Sequence, residues 1–131
     1  MNAPRSTFFR QLLWVDCIGA ALAGATVITL SGWLSRIEGL PQELLLFTGA
    51  VNLLYGSYSF MLAIRRQRPM HLIKLLVGAN LAWAFVCLGI VAVFSATATL
   101  FAFLHFIGEA VYVGGLAILE WRYRDLLLTT A

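Results

Sequence analysis

Charged side chains are scarce in this sequence, and their scarcity indicates the class of protein. Only 11% of its 131 residues are Asp, Glu, Lys or Arg, whereas a typical soluble domain has about 25%. Hydrophobic residues make up 61% of the chain, and the mean hydropathy is +0.88. A soluble domain of this size needs more charge on its surface, so the sequence predicts an integral membrane protein.

Proline and cysteine are also rare. The three prolines, Pro4, Pro41 and Pro69, lie outside the long apolar stretches, so none of them interrupts a helix there. The two cysteines, Cys17 and Cys87, fall in different stretches and at different depths, which gives no redox or metal-binding spacing. No nucleophile motif, cofactor fingerprint or metal triad is recognisable. We therefore assign no catalytic residue, no cofactor and no metal.

Long apolar runs are what the sequence has in place of charge. Four of them approach the roughly 20 residues that a helix needs to cross a hydrocarbon layer of about 30 Å. They extend from Gln11 to Leu34, Leu44 to Ile64, Leu72 to Phe94 and Thr99 to Leu119. Because the connections are short, consecutive helices should be antiparallel neighbours. We expect one membrane domain over residues 1–131, an all-α, up-down-up-down bundle of four transmembrane helices.

The basic residues predict the orientation of this bundle. Of the nine Lys and Arg residues, only Arg36 falls in the loop after the first span. The other eight share the side that holds both termini: Arg5, Arg10, Arg65, Arg66, Arg68, Lys74, Arg122 and Arg124. Cytoplasmic loops are enriched in Lys and Arg, so we expect a multi-pass protein of the plasma (inner) membrane with both termini in the cytoplasm. The net charge of +3 follows from this topology, and no nucleic-acid partner is expected.

Small residues at close-packing spacing favour direct contact between the helices, because membrane helices associate through close backbone approach. The pairs are Ala20 with Gly24, Gly49 with Gly56, and Gly108 with Gly115. One bundle of four helices is narrow for a transport path. A homo-oligomer or a partner membrane subunit is therefore expected in addition to the lipid bilayer.

The most informative polar residues are His105, Glu109 and Tyr112 in the fourth span. Their i, i+4, i+7 spacing predicts one shared helix face. A carboxylate at the bilayer centre costs at least about 2.5 kcal/mol, so Glu109 should face the interior of the bundle. No Lys or Arg lies at its depth. We expect Glu109 to lack a cationic partner and to be protonated or to share a proton with His105, as a proton-coupled site or a general acid and base would.

Depth along the other spans suggests neighbours for Glu109. At about 1.5 Å per residue, Asn52 and Asn80 lie close to its plane, so the three residues can meet. Both asparagines also suit a purely structural hydrogen-bonding role, which is the favoured interpretation. Asp16, nearer the basic side, either belongs to the same site or pairs with Lys74. Trp83 either packs in the core, the favoured interpretation, or forms a pocket wall. A polar stripe on the second span should face inward with them: Thr48, Asn52, Tyr55 and Ser59.

Three classes of function fit these residues. The first is binding or transport of a small apolar or cationic solute, with Glu109 exchanging a proton for the ligand. The second is a membrane enzyme that uses Glu109 and His105 for acid–base chemistry on a lipid-like substrate. The third is an accessory or structural subunit whose polar core fixes helix packing. The first is favoured. The predicted ligand- and proton-binding residues are Glu109, His105, Tyr112, Asn52, Asn80, Asp16, Tyr55 and Trp83.

Overall fold

Residues 11–128 are described by the structure, a computed structural model, and over that range the chain is helical. Its helices are α1 (Leu12–Thr29), α2 (Ser31–Glu38), α3 (Gln42–Ile64), α4 (Met70–Val93) and α5 (Leu100–Arg122), followed by a 3₁₀ turn at Arg124–Leu127. Helices α1, α3, α4 and α5 are long and apolar enough to cross a membrane. The prediction of an all-α chain with four spans is thus confirmed. Pro4, Arg5 and Arg10 lie outside the described residues.

Prolines set the start of two long helices. Pro41 and Pro69 have extended backbone directly before α3 and α4, where a missing N–H removes no helical hydrogen bond. Both helices begin slightly earlier than the apolar pattern predicts, and α5 continues past Leu119 to Arg122. Hydropathy marks the apolar part of a helix, whereas its backbone hydrogen bonds also include the polar residues at its ends.

The predicted first span, Gln11 to Leu34, runs past the end of the first helix. Helix α1 ends at Thr29, and Leu30 adopts φ −102° and ψ 15° before the separate helix α2 begins. The predicted loop from Ser35 is therefore helical as far as Glu38. Polar Ser31 and Glu38 on α2 are buried, so this helix turns its polar face into the bundle.

Gly39 holds the end of α2 in place. It has φ 71°, in the left-handed region that glycine adopts readily, and a Cβ there would collide with the carbonyl oxygen of Thr97. The Thr99 N–H donates to the Glu38 carbonyl at 3.0 Å. These contacts dock the α2–α3 corner on the α4–α5 turn, and they position Glu38 over one end of the bundle.

The four long helices pack as two pairs, α1 with α3 and α4 with α5. Glycine permits the first pairing, since a Cβ on Gly24 would lie 2.7 Å from the Gly49 carbonyl oxygen, and one on Gly56 would lie 3.3 Å from the Ala21 nitrogen. The predicted close packing is confirmed here. It is wrong for Gly108 and Gly115, which are exposed and have no neighbour within 4 Å of an added Cβ. Their spacing is right for packing, but they lie on the outer face of α5.

Buried apolar side chains form two clusters, one at each end of the bundle. We call the end with the Arg65–Arg68 connection the basic end, and the other the α2 end. The cluster at the α2 end contains Val27, Leu40, Leu45, Cys87, Ile90, Val91, Ala102, Phe106 and Ala110. The cluster at the basic end contains Leu12, Leu13, Leu62, Ala63, Ile73, Leu76, Leu116 and Leu127. The polar residues lie between them, where the two helix pairs face each other.

Arg68 closes the basic end. Its guanidinium donates to the carbonyl oxygens of Leu62 and Ala63 at the end of α3 and to that of Leu127 in the 3₁₀ turn. The last carbonyls of a helix have no partner within it, so this side chain supplies the missing donors. Burial lowers the pKa of the Arg68 guanidinium below its ordinary value.

Candidate functional site

Glu109 faces the interior of the bundle and is held by donors from two other helices. Its Oε1 accepts from Asn52 Nδ2 on α3 at 2.8 Å and from Trp83 Nε1 on α4 at 2.7 Å. Its Oε2 lies 3.5 Å from His105 Nε2, one turn away on α5. Among the described residues, no Lys or Arg pairs with Glu109, and its neighbours include Asn52 and His105, the two residues that the sequence suggested for this role. Trp83, favoured as a packing residue, packs against the apolar cluster at the α2 end and also forms a wall of the site.

His105 connects Glu109 to a second carboxylate that the sequence did not single out. Its Nδ1 lies 3.0 Å from both oxygens of Glu38, whose side chain is 3% exposed. A doubly protonated imidazole donates from both ring nitrogens, so His105 can bridge the two carboxylates as a cation. No sequence motif marks Glu38, because it lies 67 positions from His105 in the region expected to be a loop.

A second polar group lies toward the basic end. Asn80 Nδ2 donates to Asp16 Oδ2 at 3.1 Å and to Glu120 Oε1 at 2.8 Å, and the Tyr55 hydroxyl donates to Asp16 Oδ2 at 2.7 Å. These four residues come from four different helices, α1, α3, α4 and α5. From its depth, Asn80 was expected to meet Glu109. It donates instead to the carboxyls of Asp16 and Glu120.

The sequence left the partner of Asp16 open and gave no role to Glu120. Asp16 forms no salt bridge with Lys74, because Asp16 is buried while Lys74 points outward from α4. Glu120 was not singled out, since the predicted fourth span ended at Leu119. Helix α5 continues to Arg122, and this places the Glu120 side chain in the core with no exposed surface. The sequence signal that could have identified Glu120 is its position directly after the apolar run that ends at Leu119.

An internal cavity of about 300 Å³ joins the two polar groups. Asp16 lines it near the basic end and Glu109 near the α2 end, and Asn52, Tyr55 and Asn80 line it between them. Most of the remaining wall is apolar or aromatic: Ala20, Ala23, Val51, Ala79, Ala82, Trp83, Val86, Tyr112 and Val113. None of the described residues that line the cavity is Lys, Arg or His. Two carboxyl groups thus face an apolar space whose lining holds no basic residue; His105, which contacts Glu109, lies outside that lining.

Tyr112 lies between this cavity and the outside. Its hydroxyl donates to the Val15 carbonyl on α1 at 3.0 Å, and its side chain is half-exposed. The ring fits there because Gly19 has no side chain, since a Cβ on Gly19 would overlap the Tyr112 hydroxyl. The predicted triplet on α5 thus shares one face, although each member has a different partner: His105 contacts Glu38, Glu109 contacts Asn52 and Trp83, and Tyr112 contacts Val15.

A second, more open groove of about 530 Å³ runs along the outside of this contact. It is lined by apolar residues of α1, α2 and α5 and by Glu38, His105, Glu109 and Tyr112. Glu109 and Tyr112, together with Ala23, line both spaces. The groove and the internal cavity therefore meet at Glu109, and Tyr112 forms part of the partition.

Among residues 11–128, no group of three or more His, Cys, Asp or Glu side chains is arranged to hold a metal ion. Comparison of the chain with protein-family models, curated proteins and solved structures finds no match. The function is therefore argued from the chemistry of the cavity itself.

Proposed function

We propose that this protein binds a small organic cation with an apolar body in the internal cavity and exchanges it for protons, as a transporter would. One observation carries the proposal: a cavity of about 300 Å³ has carboxyl groups from Asp16 and Glu109, apolar and aromatic walls, and no basic residue in its lining. A volume near 300 Å³ is at the lower end of the range for small-molecule sites. The ligand is thus expected to be small.

The lining favours a cation over a neutral or anionic solute. A desolvated carboxylate is costly in an apolar surrounding, and a ligand with positive charge offsets that cost. Trp83, Tyr55 and Tyr112 supply aromatic rings, and a cation within about 6 Å of a ring face is attracted to it. An organic cation can use both features, since its charge meets the carboxylates and its apolar part meets the alanine and valine wall.

Proton coupling is supported by the contacts from Glu38 through His105 to Glu109. The His105 ring lies between the two carboxylates, 3.0 Å from one and 3.5 Å from the other. Imidazole gains and loses a proton near neutral pH and can pass it between its two nitrogens. Glu109 ends this series of contacts and also lines the cavity. A cation that arrives at Glu109 therefore competes with a proton for the same carboxyl.

Access from the lipid is part of the proposal. The outer groove is apolar for most of its length and meets the cavity at Glu109 and Tyr112. A ligand with an apolar body partitions into the bilayer, so it can approach along this groove between α1 and α5. The positive-inside rule would put the basic end in the cytoplasm of a plasma (inner) membrane, and a homo-oligomer or partner subunit would complete the transport path.

A second candidate is an enzyme that performs acid–base chemistry on a lipid-like substrate. The observation that favours it is the outer groove, where His105 and Glu109 lie side by side in an apolar surrounding that suits an acyl chain. A purely structural role is less well supported, because a core that only fixes packing has no need of a cavity with two carboxyls.

Binding of benzyltrimethylammonium tests the proposal. Its quaternary nitrogen has no titratable proton, so any pH dependence belongs to the protein. We expect the purified protein to bind it by calorimetry, with affinity that rises with pH as protons leave the cavity carboxyls. Glu109→Gln keeps the shape and the acceptor for Asn52 and Trp83 but removes the charge, and should weaken binding at least about tenfold, as expected for loss of a charged contact.

Two controls accompany this measurement. Glu43→Gln alters an exposed carboxylate at the same end of the molecule and should leave the affinity unchanged. Neopentylbenzene has the same shape as the probe but no charge, and should bind more weakly. Equal binding of the two compounds, or an unchanged affinity in Glu109→Gln, would contradict the proposed cation site.

A further inference from the structure

Asp16 and Glu120 come together in a way that the binding of a cation at Glu109 does not explain. Both carboxyls accept from Asn80 Nδ2, at 3.1 Å and 2.8 Å, so an oxygen of each lies beside the same nitrogen. The amide group has two N–H donors, and each carboxyl takes one. Both side chains are almost completely buried, Asp16 at 1% and Glu120 at 0% exposure.

The second oxygen of Glu120 has no donor. Glu120 Oε2 is fully enclosed, and none of the described groups donates a hydrogen bond to it. Asp16, which shares the donor Asn80 Nδ2 with Glu120, cannot supply a donor when both carboxyls are ionised, because two carboxylates have only acceptors to offer each other. A proton on either carboxyl supplies the donor that a hydrogen bond between them requires.

No positively charged side chain among the described residues compensates the charge of Asp16 and Glu120. Asp16 on α1 has Cys17 as its neighbour; α3 contributes Tyr55 and Ser59, α4 contributes Asn80, and α5 contributes Tyr112 and Glu120. Neither carboxyl forms a salt bridge with any described Lys, Arg or His side chain. The pair therefore lacks both a donor to Glu120 Oε2 and a neighbouring positive charge.

A proton fits this site better than a metal ion does. Glu120 Oε2 has no accessible surface, so a sodium ion would have to push the surrounding helices apart to reach it. A proton requires no such space. Two adjacent carboxyls commonly hold a single proton between them, because both cannot easily ionise side by side in an apolar site.

We propose that Asp16 and Glu120 bind one proton between them, and that an organic cation entering the cavity expels this proton. The second part rests on the proposed function. Asp16 lines the cavity whereas Glu120 lies behind it, so the cation meets Asp16 first. Its charge stabilises the ionised carboxylate, the shared O–H bond breaks, the electron pair stays on the carboxylate oxygen, and the proton leaves for water. One positive charge replaces another.

Infrared spectroscopy of the purified, ligand-free protein tests the shared proton. A protonated carboxyl has a C=O stretching band that carboxylates lack. We expect the wild type to show this band at neutral pH, and both D16N and E120Q to lose it. E109Q and E38Q, which alter the other carboxyls of the interior, should retain it. Absence of the band from the wild type, or its loss in E109Q but not in E120Q, would overturn the proposal.

If D16N or E120Q fails to fold, the band in the wild type and in the E109Q and E38Q variants still decides the first part. The second part is tested by adding benzyltrimethylammonium to the protein in weakly buffered solution with a pH indicator. We expect E120Q, which should still bind the cation, to release one proton fewer for each cation bound than the wild type does.

The outcomes separate this proposal from the proposed function. Equal proton release from the wild type and E120Q on binding would disprove the exchange at Asp16 and Glu120 but leave the cation site intact. Failure of the wild type to bind the cation would contradict the proposed function and with it the exchange, while the infrared band would still decide whether Asp16 and Glu120 share a proton.

Discussion

At the scale of single residues, the polar interior is built from carboxylates that each receive donors from another helix. Glu109 accepts from Asn52 and Trp83, and Asp16 accepts from Tyr55 and Asn80. Buried polar groups that lack such partners are strongly destabilising. The same hydrogen bonds therefore fix the positions of the site residues and hold the two helix pairs together.

Glu38 offers a test of this double role. Glu38→Ala removes the partner of His105 Nδ1 and leaves a gap beneath α2, so we expect it to lower the free energy of unfolding by about 1–3 kcal/mol. Thermal unfolding followed by size-exclusion chromatography of the detergent-solubilised protein would measure the loss. Glu43→Ala, an exposed carboxylate a few residues further on, is the matched control and should have little effect. Equal stability of the two variants would argue against a buried Glu38–His105 contact.

At the scale of helices, the pairing of α1 with α3 depends on glycine, and the pairing of α4 with α5 does not. Gly24 and Gly49 allow the backbones of α1 and α3 to approach closely, whereas Gly108 and Gly115 on α5 have open space around them. The close contact gives the first pair a fixed register. That register places Asp16 and Tyr55 at the same level.

A pair of glycine substitutions tests this difference. Gly24→Ala puts a methyl group 2.7 Å from the Gly49 carbonyl oxygen, and overpacking of this kind costs about 1–3 kcal/mol. That exceeds the gain of up to about 1 kcal/mol from alanine in a helix. We expect a lower thermal unfolding temperature for Gly24→Ala and no loss for Gly115→Ala. Destabilisation of Gly115→Ala by a similar amount would indicate that this face of α5 packs against a second protein surface.

At the scale of the whole molecule, two apolar clusters close the ends and the polar cavity lies between the helix pairs. Exposed apolar side chains cover the outer surface of the long helices, among them Leu54, Phe85, Leu104 and Val111. Such a surface suits lipid rather than water. The outer surface is thus apolar, and so is the core at each end of the bundle, whereas the middle of the core is polar.

The orientation in the membrane is a prediction that labelling can check. In a variant with Cys17 and Cys87 replaced by alanine, Ser95→Cys would lie in the turn between α4 and α5, and Gln67→Cys in the basic connection; both positions are exposed. We expect a membrane-impermeant maleimide to label Ser95→Cys on intact cells, and Gln67→Cys only after the cells are made permeable. The reverse pattern would mean that the basic end faces outward.

The candidate site was only partly predictable. Glu109, Asn52, Tyr55 and Asp16 do line or approach one cavity, because a polar residue deep in an apolar span has nowhere else to go. The partners were harder to foresee. Asn80 was expected beside Glu109 from its depth, but depth along a helix says nothing about rotation around the helix axis, and Asn80 turns toward Asp16 and Glu120 instead.

The sequence by itself determined that this chain is helical and has four apolar spans, because helix length and hydropathy are local properties. It also indicated that polar residues deep in those spans, such as Asp16, Asn52 and Asn80, would be buried. Only the tertiary structure decided that Glu38 and Glu120 join them. Glu38 is brought inward by a break at Leu30 and a turn at Gly39, and Glu120 by the continuation of α5. Contacts between residues 40 and 67 positions apart depend on how separate helices meet, and no local pattern contains that information.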